Sequence, residues 1–330
     1  MPHIWSRRAF LARSLALSAG AAAFAAGCSP DKPGAVADDG SVTVTHVFGE
    51  TKIPGPPQRV VSAGFTEQDD LLALGVVPIA VTEWFGGEPF ATWPWALPKL
   101  GAAQPVVLNL VDGVQVDQIA SLKPDLIVAI NAGLDADTYT RLSAIAPTIA
   151  QSGADAFFEP WKTQADVIGQ ATFKVDDMRT LVTGVEDRFA KVKTDNPSLT
   201  DKKVYVVGGT FFKDRVVVTP AGPRTEYLTQ MGLTIPDGLA EYVDGESAYV
   251  PRDRWAAVLD QADALIWTTE NDAEIGALLA DPTFAELKAT KNNRNVLTDR
   301  QLAGAIAYGT VLSYPVVADR LPAMLAKVLA

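Results

Sequence analysis

Val116-Asp117-Gln118-Ile119-Ala120-Ser121-Leu122-Lys123-Pro124-Asp125-Leu126-Ile127-Val128-Ala129 changes character half-way along. Val116 to Leu122 reads as a helix, and Pro124 to Ala129, apolar after its Asp, as a buried strand. The proline separates the two, because it cannot continue a helix and disfavours helical backbone in the residue before it. A helix leading into a fully apolar strand is the unit from which parallel sheets covered on both faces are built.

The same phrase extends in both directions. Upstream, Val42 to Val44 and His46 to Phe48 read as a strand, Pro54-Gly55-Pro56-Pro57 as a turn, Arg59 to Ser62 as a strand, Glu67 to Leu74 as a helix and Val77 to Val81 as a strand. Downstream, Tyr139 to Ile145 reads as a helix and Pro147 to Ile149 as the start of a strand. A second copy follows Asp201: strands at Lys203–Val207, Ala264–Trp267 and Asn295–Leu297, with helices at Thr225–Met231, Arg254–Leu259 and Leu312–Leu329. Between the copies, the proline-free stretch Trp161 to Lys193 places Val167, Ile168, Ala171, Met178, Leu181, Val182, Val185 and Phe189 on one helical face. The fold expected is α/β: two Rossmann-like lobes, residues 41–158 and 195–330, joined by a single long helix over 159–194, with a ligand cleft between the lobes.

Residues 1–28 read as an address. Ser6-Arg7-Arg8-Ala9-Phe10-Leu11 matches the twin-arginine export pattern, and the apolar run Leu15 to Ala26 is too short to span a bilayer. It ends at Ala25-Ala26-Gly27-Cys28-Ser29, which places the single cysteine, Cys28, for acylation, so the chain is expected to be lipid-anchored on the outer face of the cytoplasmic membrane. Residues 29–40, without an apolar pattern, are expected to be a flexible tether.

Of 28 basic residues, Arg7, Arg8 and Arg13 leave with the signal, so 25 face 39 acidic residues and the mature net charge is −14. Such a body is not expected to bind nucleic acid. One cysteine excludes an intramolecular disulfide framework and a thiol metal cluster. His3 leaves with the signal, so His46 is the only histidine of the mature chain, expected at an edge strand near the surface without catalytic or metal-binding partners. No P-loop is present, and Gly208-Gly209 reads as a tight turn or a close backbone approach. No catalytic residues are assigned; a carboxylate pair could serve glycoside hydrolysis, but 39 acidic residues make some pair inevitable.

In parallel α/β sheets ligands bind beyond the carboxyl ends of the strands. There the chain carries Glu83-Trp84-Phe85, Asn131-Ala132-Gly133, Thr210-Phe211-Phe212 with Arg215, Trp267-Thr268-Thr269 and Asp299-Arg300. Together they describe an apolar-walled, Arg-bearing cleft for a neutral or weakly anionic ligand.

The phrase 116–127, with Arg59-Val60-Val61, Leu74-Gly75-Val76, Ala146-Pro147-Thr148, Met231-Gly232-Leu233, Pro251-Arg252-Asp253 and Ala262-Asp263-Ala264-Leu265-Ile266, resembles the class III substrate-binding lipoproteins of ABC importers that carry ferric siderophores, cobalamin or haem. The resemblance covers the chain after the tether. It implies two lobes on one rigid helix, and docking to a permease through one acidic residue per lobe, here Asp117 and Asp253 where most relatives carry Glu. It also implies ligand contacts at Asn131 and Tyr308; the first-lobe arginine of such relatives has no counterpart between Gly101 and Val116, so Arg215, Arg224 or Arg300 is expected to supply charge, and Trp84 and Trp267, from the strand ends, stacking.

The expected cargo is an iron(III) hydroxamate or mycobactin-type chelate, carried by a monomeric, non-enzymatic protein without a resident cofactor. Haem, with Tyr308, Tyr242 or Tyr249 as axial ligand, and a carboxylate-dependent cell-envelope hydrolase are the alternatives.

Overall fold

The computed structural model describes residues 33–330, apart from 154 and 213 and the side chain of Phe212; the signal segment and Cys28 lie outside the described residues. The hairpin of β1 (Val42–His46) and β2 (Gly49–Ile53) comes first. A five-stranded parallel sheet follows, from β3 (Val60–Ser62), β4 (Ala80–Thr82), β5 (Val106–Leu108), β6 (Leu126–Ala129) and β7 (Thr148–Ala150), in the order β5-β4-β3-β6-β7. Every residue of β3, β4, β6 and β7 is buried, as strands covered on both faces require.

The opening phrase folds as read, into helix Val116–Ser121 and then β6. Its charged residues fasten it to β3. The Asp125 carboxylate accepts the backbone N–H of Gln58 and Arg59, both at 2.8 Å, while the Arg59 guanidinium donates to the carbonyls of Leu122 (2.6 Å) and Lys123 (3.0 Å). Leu-Lys-Pro-Asp thus closes a helix and sets the register of two strands.

The second lobe is not a copy of the first. Its sheet comprises β8 (Val204–Phe212), β9 (Arg215–Thr219), β10 (Val243–Asp244), β11 (Ser247–Pro251), β12 (Ala264–Thr268) and β13 (Asn295–Leu297), in the order β10-β11-β9-β8-β12-β13. Only β8, β12 and β13 run parallel; β8, β9, β11 and β10 pair antiparallel in that order. Gly208-Gly209 is therefore no turn. It sits inside β8 where the register against β9 shifts between Val207 and Phe211, and a Cβ on Gly209 would come within 2.8 Å of the Thr268 carbonyl oxygen.

The expected single helix is two, Trp161–Ala171 and Val175–Asp195. Thr172 turns its hydroxyl onto the Ile168 carbonyl (2.7 Å), Phe173 adopts a left-handed φ of 61°, and Lys174 N–H returns to the Gly169 carbonyl (2.8 Å). This is a left-handed helix cap completed without glycine. At Gly169 the two helices touch, for a Cβ there would meet Met178 at 2.9 Å. The first helix packs on β1 and helix Glu67–Ala73, the second on helices Glu226–Gln230 and Tyr314–Leu329, so the pair still joins the lobes. One hydrophobic core runs through both, from Val42, Leu71 and Val128 through Ile168 and Phe189 to Ile266, Tyr314 and Leu325.

Two further expectations change. Residues 33–40 are not all free tether: Gly34 lies against Gln170 and Val175, where a Cβ would clash, and Asp39 accepts from Lys52 and Ser41. His46 is buried rather than superficial. Its Nδ1 accepts from Phe48 N–H (3.2 Å), its Nε2 lies 2.9 Å from the Thr51 hydroxyl, and desolvation lowers its pKa.

Candidate ligand-binding cleft

Strand ends of the first sheet and helix Arg300–Tyr308 of the second lobe face each other across a cleft. Phe65 follows β3 and Trp84 follows β4. They stack at 5.4 Å between ring centroids, Phe157 lies 6.2 Å from Phe65, and Phe158 lies 6.2 Å from Trp84. Arg224, from the turn Pro223–Thr225, lays its guanidinium 4.5 Å over the Phe158 ring. It is half-buried, burial pushes its pKa down, and among the described residues no carboxylate comes within ion-pairing distance. A guanidinium stays charged in proteins, so the cleft presents one uncommitted positive charge on an aromatic wall.

The expected contact residues divide. Trp84, Asn131, Arg224 and Tyr308 line the cleft. The Asn131 amide is committed to the scaffold, accepting Glu159 N–H (2.9 Å) and donating to Gln164 Oε1 (2.6 Å), so it positions the segment that carries Phe157 and Phe158. Tyr308 is 5% exposed, wedged among Trp84, Phe85, Trp93 and Trp95 at 5.7–5.9 Å, with Gln68 Nε2 at 3.5 Å from its hydroxyl. Arg300 does not line the cleft; it is paired with Glu88 at 3.0 Å and lies 5.6 Å over Trp93.

Trp267 and Arg215 lie elsewhere. Trp267 is fully buried in the second lobe's own core, its Nε1 bonded to Asn295 Oδ1 at 3.0 Å and its ring 5.4 Å from Phe284. Its place near the end of β12 suggested a cleft wall, but helix Pro282–Glu286 covers that face. Arg215 opens β9 across from Pro251, because β8 continues into a hairpin where the sequence suggested a strand end. It shares a surface groove with Arg252 and Asp253. Asp117 and Asp253 are both exposed, Asp117 in the first turn of its helix and Asp253 in the short turn Arg252–Arg254.

Sequence reasoning missed a buried acidic cluster behind the cleft residues Asn131 and Gln164. Glu67, Asp69 and Asp70 begin a helix and look solvated, yet each is at most 1% exposed. Glu67 accepts from Asn131 N–H (2.9 Å), Gly64 N–H (3.0 Å) and the Ser62 hydroxyl (3.1 Å), and desolvation lifts its pKa to about 7. Asp69 accepts from Thr310 Oγ1 (2.7 Å) and Trp95 Nε1 (2.8 Å), with desolvation lifting it to about 6. Asp70 accepts from Gln164 Nε2 (2.7 Å); desolvation, then the neighbouring Asp69 charge, lifts it to about 7. These carboxylates pin the first lobe to the connecting helix and to the loop after Tyr308. The clue in the sequence was Trp93-Pro94-Trp95, whose indoles could donate to buried acids.

The family model of periplasmic binding proteins matches residues 60–302. The chain belongs to that family. This binding protein is 62% identical to a periplasmic solute binding protein of Mycobacterium smegmatis, over 89% of this chain and all of that one, with a TM-score of 0.85. It is 28% identical to the probable siderophore-binding lipoprotein YfiY of Bacillus subtilis over 60% of this chain, a match spanning 59% of YfiY. PiaA of Streptococcus pneumoniae, solved in complex with ferrichrome, shares the fold at 23% identity and a TM-score of 0.74, over 87% of this chain and 98% of PiaA. The family is one of solute-binding proteins with two lobes. Among the described residues no helix is long and apolar enough to cross a membrane, and no side-chain group is arranged to hold a metal ion.

Proposed function

We propose that this protein captures an iron(III) siderophore outside the cytoplasmic membrane and delivers it to an ABC permease, making and breaking no covalent bond. The observation that carries the reading is the aromatic cleft between the lobes with Arg224 as its one uncommitted cation. The siderophore-binding description of YfiY and the ferrichrome complex of PiaA support the ligand class. With Arg300 engaged by Glu88 and Arg215 outside the cleft, a single free charge favours a hydroxamate or mixed phenolate-hydroxamate chelate over a highly charged catecholate. Iron is cargo inside the chelate, and no resident cofactor is invoked.

Haem is the weaker reading. An axial tyrosine binds iron as phenolate, whereas burial and the nearby Asp69 charge push the Tyr308 pKa up. A hydrolase is weaker still, since the carboxylates Glu67, Asp69 and Asp70 are shielded from solvent and committed to scaffold hydrogen bonds.

The twin-arginine motif supports export, the setting of Cys28 supports acylation, and the exposure of Asp117 and Asp253 is compatible with docking of a monomer on a permease. Anchoring would raise the local concentration of carrier at its transporter. The test is uptake of radioiron siderophore by cells lacking this chain. Wild type restores uptake, and Cys28→Ala restores less while releasing the protein from membranes; uptake unaffected by loss of the chain refutes the assignment.

A further inference from the structure

The main cleft continues past Arg224, Ile306 and Ala307 into a side chamber of about 170 Å³. Its floor is the second sheet, through Gly208 of β8, Thr219 of β9 and Thr268 of β12; Phe85 and helix Arg300–Tyr308 form the opposite side. The chamber is large enough for a group of about six heavy atoms. Its inner wall carries Glu270, two residues beyond β12.

Glu270 is half-buried, and its carboxylate forms no hydrogen bond or ion pair with a described residue. Its backbone N–H is held by Glu274 Oε2 at 2.8 Å, which brings a second negative charge close by. The nearest guanidinium influence is Arg300, and that group is committed to Glu88. Desolvation, then Glu274, pushes the Glu270 pKa up, with Arg300 opposing the shift without pairing with the carboxylate. Thr268 Oγ1 donates to the Val207 carbonyl (3.2 Å), which leaves its oxygen lone pairs free to accept from a ligand. A half-buried carboxylate without a partner, beside the accepting oxygen of Thr268, offers an ammonium both a counter-ion and a hydrogen-bond acceptor.

We propose that the side chamber is a subsite for a positively charged arm of the ligand, a primary ammonium on a short aliphatic stem, with Glu270 as its counter-ion. The inference rests on the reading that the main cleft holds a ferric chelate. Arg224, where the two spaces meet, would face the electron-rich chelate while Glu270 faces the ammonium. The ligand class is then a hydroxamate chelate with a free amine rather than a blocked one.

The test compares ferrioxamine B, whose chelate bears a terminal ammonium, with its N-acetylated form, by isothermal titration calorimetry on wild type and Glu270→Gln, with thermal melts confirming that the variant folds. The expected result is at least tenfold tighter binding of the ammonium form by wild type, and a ratio near one in Glu270→Gln. A general attraction of the acidic protein for cations would survive that single substitution. Equal binding of both forms by wild type, or an unchanged ratio in the variant, overturns the subsite while leaving the chelate reading intact. If neither chelate binds, 1,5-diaminopentane tests the chamber alone: binding lost in Glu270→Gln supports it, and no binding to wild type overturns it; the chelate reading itself fails only when no iron complex of a wider panel, mycobactin-type chelates included, binds.

Discussion

Replacing Asp70 by asparagine changes the pH dependence of stability in a direction that distinguishes a buried carboxylate from an ordinary surface one. In the folded protein Asp70 has a pKa of about 7 against 3.8 for the free side chain, chiefly through desolvation and secondarily through Asp69. The folded state therefore binds more protons than the unfolded chain between these values. Its contribution is fully present below the unfolded pKa and is lost as pH rises through the folded pKa. At about 1.4 kcal/mol per unit, the wild type loses on the order of 3 kcal/mol at this residue between pH 5 and pH 8.

Asparagine cannot ionise, and its carbonyl still accepts from Gln164 Nε2. Its amide nitrogen falls where the second Asp70 oxygen has no partner, which costs roughly 1 to 3 kcal/mol at every pH. Asp70→Asn is thus expected to be less stable than wild type at pH 5 and to recover about 2 to 3 kcal/mol relative to it by pH 8. Urea unfolding of both proteins at the two pH values measures this. A difference in stability that stays constant with pH would refute the assignment of a raised Asp70 pKa and the burial argument behind it.

Other expectations follow from the placement of the aromatic and acidic residues. Trp267→Ala should cost about 3 to 5 kcal/mol of stability, as truncation of a fully buried tryptophan does, while Trp84→Ala should cost much less stability but weaken ligand binding several-fold; thermal melts and titration separate the two. Charge reversal at Asp117 or Asp253, both exposed, should leave ligand affinity within about twofold but lower transport at least tenfold, with ligand titration and uptake measured on the same variants.

The middle of the first lobe was legible because its signals are local, whereas the partly exposed strands β2 and β5 were not read. Helix Val116–Ser121, the proline break and the apolar β6 lie within fourteen residues, and the Asp125 and Arg59 contacts fasten neighbours in the sheet. The break at Phe173 was not, since the apolar face keeps its period across it and a left-handed φ at phenylalanine leaves no compositional trace. Trp84 and Trp267 look alike in sequence, each at the end of a buried strand. Only the covering layer, helix Pro282–Glu286 with Phe284 over Trp267, separates a cleft wall from a core. Asp69 and Asp70 deceived for a related reason: their donors Trp95, Gln164 and Thr310 are distant in sequence and meet them only in the folded chain, as Asn131 N–H meets Glu67.

If the cleft takes a ferric chelate on its aromatic wall with Arg224 as counter-charge, the purified protein responds to such chelates in solution. Titrating the purified protein with ferric hydroxamates, a mycobactin-type chelate, ferric citrate and hemin, and following tryptophan fluorescence, tests it most directly. Saturable quenching at micromolar or tighter affinity is expected for a hydroxamate or mixed chelate, with much weaker binding of the iron-free form and roughly tenfold loss in Arg224→Ala. No saturable response to any iron complex in the panel would contradict it.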